Sequence, residues 1–202
     1  MRLAQVSRAG VPAMILIEPA IEAKFGRAVR RRALTAFLAQ AAAAVRLKGE
    51  ISVLLTTDRD IRRLNRAFRN KDKATDVLSF PAATHHRGHG EHGGGRQNGQ
   101  VVRDGRDAGT ELAGDLAISV ETAARQAVDA GHALCAELEV LLLHGVLHLA
   151  GYDHEADEGQ MARREAALRR RFGLSAGLIE RTAGDGSSAG QGAANGRKGG
   201  RS

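Results

Sequence analysis

The chain has 202 residues, 43% hydrophobic and 26% charged, a balance that provides for one packed core and excludes wholesale disorder. Thirty basic and 23 acidic residues leave a net charge of +7, which suits a polyanionic partner such as RNA. Arginine supplies 25 of the 30, however, and beside so much Ala and Gly a GC-rich genome yields the same bias without selection for RNA.

In chain order, Ala13–Ile17 reads as a short apolar strand. Across residues 25–47, Val29, Ala33, Leu34, Phe37, Leu38, Ala41 and Val45 recur at helical spacing and predict one helix. Residues 50–57 read as a buried strand, after which Asp58 is expected to cap a helix to about Phe68. Residues 75–80 predict a strand closed by Pro81, and residues 114–119 another. Ser119 is placed to cap a helix through Ala130. Residues 134–150 are apolar on nearly every side, the mark of a central buried helix, and Gly151 ends it. A polar amphipathic helix over residues 155–172 closes the fold. The expected class is α+β: a small mixed four-stranded sheet packed with about five helices, with a helical crossover between the first two strands.

Fifteen of the 25 glycines fall in residues 84–109 and 183–202, segments without apolar periodicity. Neither can bury enough surface to offset its ordering entropy. The organisation expected is therefore one domain over residues 1–182, carrying a Gly/His-rich surface insertion at about 84–110, and a disordered basic tail over 183–202. No run of 18 apolar residues predicts a membrane span, and residues 1–10 show no secretion signal. The single cysteine, Cys135, excludes an internal disulfide, reads as a core residue and fits a reducing cytoplasm. Five Phe, one Tyr and no Trp argue against reading single-stranded RNA on an aromatic platform; charge and a small reactive site are expected instead.

The chemistry concentrates in His144-Gly-Val-Leu-His148-Leu-Ala-Gly151-Tyr-Asp-His154. His144 and His148 lie four apart on a helix, so both rings project from one face. Gly151 can turn the chain back and return His154 to the same point. Three neutral imidazoles leave a fourth tetrahedral position open, the arrangement of a catalytic rather than a structural zinc site. The bland alternative is a pair of core histidines bonded to backbone, but burying two imidazoles in an apolar helix is costly unless both are satisfied. The spacing also fits the metzincin proteases, which place a Glu general base directly after the first His. Gly145 stands there in this chain, and Met161 reads as a core residue, so a metalloprotease is the weaker alternative.

The triple-His motif resembles that of the YbeY endoribonucleases, the UPF0054 family of rRNA maturation factors. The resemblance extends through Asn65-Arg-Ala-Phe-Arg69-Asn-Lys-Asp-Lys-Ala-Thr75-Asp-Val-Leu-Ser-Phe-Pro81 and Gly114-Asp-Leu-Ala-Ile118, covering most of residues 50–174. It implies that His144, His148 and His154 bind one zinc ion and that Arg69 belongs to the catalytic cleft. It further implies a metal-dependent endoribonuclease acting on single-stranded RNA, maturing the 3′ end of small-subunit (16S) rRNA and serving ribosome quality control. The implied partners are the small ribosomal subunit and the GTPase Era; a monomer is expected. Two departures stand out: Asn70 replaces a glycine common in the family, and the insertion is long. A second function class is a non-catalytic, zinc-stabilised ribosome assembly factor.

The chemistry agrees with the resemblance. Zinc lowers the pKa of water to about 7, so hydroxide can attack phosphorus or deprotonate a ribose 2′-OH without a Glu base. Arg69 can hold the phosphoryl oxygens bidentately as charge develops; at a helix C-terminus it also suits the macrodipole as a plain solvated cation. Several other signals are discounted. Gly88-His-Gly90-Glu-His-Gly93 and Gly186-Ser-Ser188-Ala-Gly190 match phosphate-loop and nucleophile patterns without the strands and helices these need. His85, His86, His89 and His92 suit loose metal binding only. Arg27, Arg30, Arg31 and Arg32 read as the wet face of a helix or an RNA contact, and Arg197, Lys198 and Arg201 as weak, salt-sensitive affinity.

Overall fold

The computed structural model describes residues 12–82, 111–153 and 157–174. The expected insertion, the tail and His154 lie outside the described residues. Four strands, β1 (Ala13–Ile17), β2 (Glu50–Thr56), β3 (Val77–Pro81) and β4 (Leu112–Ser119), form one sheet in the order β1-β2-β4-β3. The first three in that order run parallel, and β3 lies antiparallel on β4 at the edge. Six helices surround it among the described residues: α1 (Pro19–Phe25), α2 (Arg31–Ala44), α3 (Asp58–Arg69), α4 (Val120–Asp129), α5 (Leu134–Leu149) and α6 (Gln160–Phe172). The fold is the expected α+β domain around a mixed four-stranded sheet.

The differences from expectation are local. The helix read across residues 25–47 is shorter, α2 over Arg31–Ala44, and α1 (Pro19–Phe25), which was not expected, precedes it. Pro19 stands in the first turn of α1, where its missing N–H costs nothing, and the chain breaks before Arg31. Val29 belongs to the break yet is buried, so the apolar period continues across a gap in the helix. Thr57, not Asp58, caps α3, its hydroxyl accepting the Asp60 N–H. α6 begins at Gln160 rather than residue 155, because Gly159 takes a left-handed conformation (φ 79°) that no helix continues.

Strand alternation divides the core. Ile51, Val53 and Leu55 of β2 and Leu116 and Ile118 of β4 join α2 and α5 in the main cluster. Leu78 of β3 and Ala117 of β4 point to the other face and meet Ile61 of α3. α5 packs against β3, β4, α2, α4 and α6, which is why it is apolar nearly all round. α6 runs back along α2: the Phe172 ring meets Phe37 edge-on at 5.3 Å, and Arg164 donates to the Ala44 carbonyl at 2.8 Å.

At the carboxyl ends of the parallel strands, Asp58 ties α3 to α4. It accepts hydrogen bonds from the hydroxyls of Ser119 and Thr122 and from Arg125, while its own N–H donates to Glu121. Glu121 is in turn paired with Lys24 of α1 at 2.9 Å. Burial pushes the Asp58 carboxyl up, but the bonds from Ser119, Thr122 and Arg125 outweigh it and hold it below its ordinary 3.8. Lys24 and the Asp58 N–H hold Glu121 below 4.5. Both folded-state values are depressed, so this network stabilises fully above the ordinary carboxylate range and loses its contribution as pH falls below that range through the depressed folded-state values. Asp58→Asn is accordingly expected to lower the thermal midpoint at neutral pH and to flatten its decline as pH falls from the ordinary carboxylate range toward the depressed folded-state values. Equal acid sensitivity in parent and variant, measured by circular dichroism melts, would place the acid-labile groups elsewhere.

Candidate functional site

His144 and His148 sit one turn apart near the end of α5, which stops at Ala150 before Gly151 (φ 88°) reverses the chain. Their Nε2 atoms approach to 3.1 Å, with the rings edge-to-face at 4.7 Å between centroids. His144 is buried, and its Nδ1 lies 3.1 Å from Oε2 of Glu165 on α6, a carboxylate only 2% exposed. An ionised carboxylate only accepts, so it calls for the proton on Nδ1 and leaves the His144 Nε2 lone pair aimed at the point shared with His148.

This donor set fits a zinc ion. Two imidazole nitrogens bound tetrahedrally at about 2.0–2.1 Å stand roughly 3.3 Å apart, close to the separation seen here. A carboxylate on the far nitrogen of a ligating His is the usual outer support for such a ligand. His154, the third expected ligand, lies outside the described residues, so the described part of the site is the His144–His148 pair with Glu165 behind it.

Gly145 has a role that the sequence pattern did not expose. A Cβ built there would stand 2.8 Å from Cδ2 and 2.9 Å from Cδ1 of Leu116, itself buried in β4. The glycine therefore sets how closely α5 lies on the sheet. A glutamate at this position, the base of the metzincins, would have to occupy the volume of Leu116. Any side chain at this position requires Leu116 to shift.

Arg69 ends α3, and its Nη2 donates to the Ser79 carbonyl of β3 at 3.3 Å. Ser79 pairs with Leu116, the residue beneath Gly145, so Arg69 is anchored to the edge strand level with the helix that carries the histidines. The turn after it is well determined. Asn70 takes the left-handed conformation (φ 54°), for which Gly and Asn are the favoured residues, so the departure from glycine preserves the turn. Buried Asn65 donates to the Lys73 carbonyl at 2.7 Å, and Asp76 accepts from Val77 N–H and Gln126. These bonds fix the path from α3 into β3 and with it the placing of Arg69.

Glu165 was not anticipated. The available signal was a lone carboxylate on the apolar stripe of α6, between Met161 four residues before and Leu168 three after; all three are buried. Cys135 packs against the core as expected, and burial, followed by the nearby Glu139 charge, pushes its thiol up and away from reactivity. Arg31 and Arg32 are exposed at the start of α2. The histidine cluster in the insertion and both discounted glycine motifs lie outside the described residues.

The family model described as Endoribonuclease YbeY matches residues 19–173, which span every helix and all strands but β1. The chain belongs to the YbeY endoribonuclease family. It is similar to the Endoribonuclease YbeY of Koribacter versatilis, at 44% identity over 76% of this chain and 85% of that protein. It is also 42% identical to that of Solibacter usitatus, over 76% of this chain and 86% of the relative. Among solved structures it is similar to the solution structure of TM1509 from Thermotoga maritima, with a TM-score of 0.47 and 21% identity over 89% of this chain and 99% of that one.

In this YbeY-family chain the depth of α5 on the sheet should be sensitive to the smallest side chain. Gly145→Val must displace Leu116 within a packed core and is expected to cost about 1–3 kcal/mol in denaturant unfolding. Parent-like stability would show that Leu116 yields freely and that Gly145 does not set the packing.

Proposed function

We propose that this chain is a zinc-dependent endoribonuclease that cuts single-stranded RNA in the cytoplasm, maturing the 3′ end of 16S rRNA and serving ribosome quality control. Membership of the YbeY family supports the endoribonuclease reading. The observation that carries the metal is the pair of Nε2 atoms 3.1 Å apart, one of them backed by a buried carboxylate. The rRNA role and the small ribosomal subunit and the GTPase Era as partners follow from the resemblance in the motifs, and the chain is proposed to act as a monomer.

His144, His148 and His154 would hold the metal, which when bound supplies Lewis acidity to acidify a water and polarise a phosphoryl oxygen. Glu165 keeps His144 in the tautomer that presents Nε2. Arg69 is exposed, and its bond to Ser79 fixes the guanidinium while using one of five N–H donors. The remaining donors are available to a phosphate, and negative charge developing on the phosphoryl oxygens strengthens those bonds. Gly145 moves no proton in this scheme.

The test is cleavage of a single-stranded rRNA 3′-end fragment by parent, His148→Ala and Arg69→Glu proteins purified identically. The parent should cut and chelator should stop it, while His148→Ala should be inactive. Arg69→Glu should keep its zinc and fold but lose about 10²–10³-fold in rate. Equal cleavage by parent and His148→Ala would contradict the metal-nuclease reading. A folded, zinc-loaded parent that cuts nothing would instead support the assembly-factor class.

A further inference from the structure

The scarcity of aromatic residues argued against base stacking, yet the structure gathers two of the five phenylalanines beside Arg69. Phe68 extends the apolar stripe of α3 begun by Ile61 and Leu64, and its side chain is 59% exposed. Its ring is held edge-to-face against Phe80 of β3, with centroids 5.2 Å apart and planes at 68°. A lone exposed apolar residue is ordinary on a protein surface. Phe68 differs in its surroundings. The ring is braced by Phe80, and the next residue, Arg69, is tethered to the Ser79 carbonyl immediately before Phe80. The left-handed turn at Asn70 and the Asn65–Lys73 bond fix this corner of the fold.

A braced aromatic surface beside an anchored guanidinium is what one nucleotide of a single strand requires: a π-face for the base and a fork of donors for the phosphate. We propose that Phe68 is a nucleobase-stacking residue that, with Arg69, forms a subsite for one nucleotide of single-stranded RNA at the edge of β3. The inference rests on the RNA-cleaving function proposed above. Stacking is indifferent to base identity, because every base has a π-face, so the subsite favours unpaired over paired strands without reading sequence. A base inside a duplex is already stacked and cannot be presented to Phe68.

The experiment measures affinity by fluorescence anisotropy for a short single-stranded RNA and for the same strand carrying abasic nucleotides. The zinc-loaded proteins are used in the cold, and each strand is checked by gel to be intact after the measurement. The proteins are the full chain and its Phe68→Leu and Phe68→Tyr variants, each checked for a parent-like unfolding midpoint. Phe68→Leu, which keeps an apolar side chain but no π-system, is expected to bind the intact strand about 5- to 100-fold more weakly. Phe68→Tyr should bind like the parent. On the abasic strand, parent and Phe68→Leu should bind alike. If Phe68→Leu matches the parent on the intact strand, or loses as much on the abasic one, the stacking role is overturned while the nuclease reading stands. If the parent binds neither strand, both fall together. Should Phe68→Leu fail to fold, the parent alone still decides: equal affinity for intact and abasic strands overturns the proposal, and weaker binding to the abasic strand upholds it.

Discussion

The fold depends on burying one helix. α5 is enclosed by β3, β4, α2, α4 and α6, and the burial of Leu138, Leu141, Leu142 and Leu143 makes it the centre of the main core. Such an environment tolerates an imidazole only where its nitrogens are satisfied. His144 meets that condition through Glu165 on one side and His148 on the other. The same packing that stabilises the domain thus sets a carboxylate against one nitrogen and points the other at His148. Gly145 on Leu116 adjusts the depth of the helix, so core packing and site geometry are one problem.

Arg69, the other residue proposed for the site, meets the sheet from the opposite face to α5. α3 meets the Leu78 and Ala117 face, while α5 lies on the Leu116 and Ile118 face. Arg69 reaches the Ser79 carbonyl on the edge strand between them. Among the described residues the outer side of β3 is partly occupied: Arg69 holds the Ser79 carbonyl, Asp76 takes the Val77 N–H, and Pro81 has none to offer.

Much of this was legible in the sequence because local patterns and global packing agree. The four strands, the buried α5, the Ser119 cap of α4 and the turn at Gly151 all follow from periodicity and capping chemistry. The break before Arg31 was hidden because Val29, in a linker, is as buried as a helical core residue. Glu165 was hidden because its partner is 21 residues away, a distance in sequence that periodicity does not span. Phe68 was hidden by composition: five phenylalanines in 202 residues say little until two of them meet at one edge. What the sequence cannot express is which solitary polar or aromatic residues the tertiary fold makes neighbours.

The central claim is that α5 presents its imidazoles to a metal with one coordination position left open. X-ray absorption of the zinc-loaded chain tests this most directly, with His85, His86, His89 and His92 replaced by alanine to remove the competing cluster in the insertion. The account predicts one zinc per chain, with three imidazole nitrogens at about 2.0–2.1 Å and one further oxygen. A fourth protein ligand closing the site, or failure to bind zinc stoichiometrically, would contradict it.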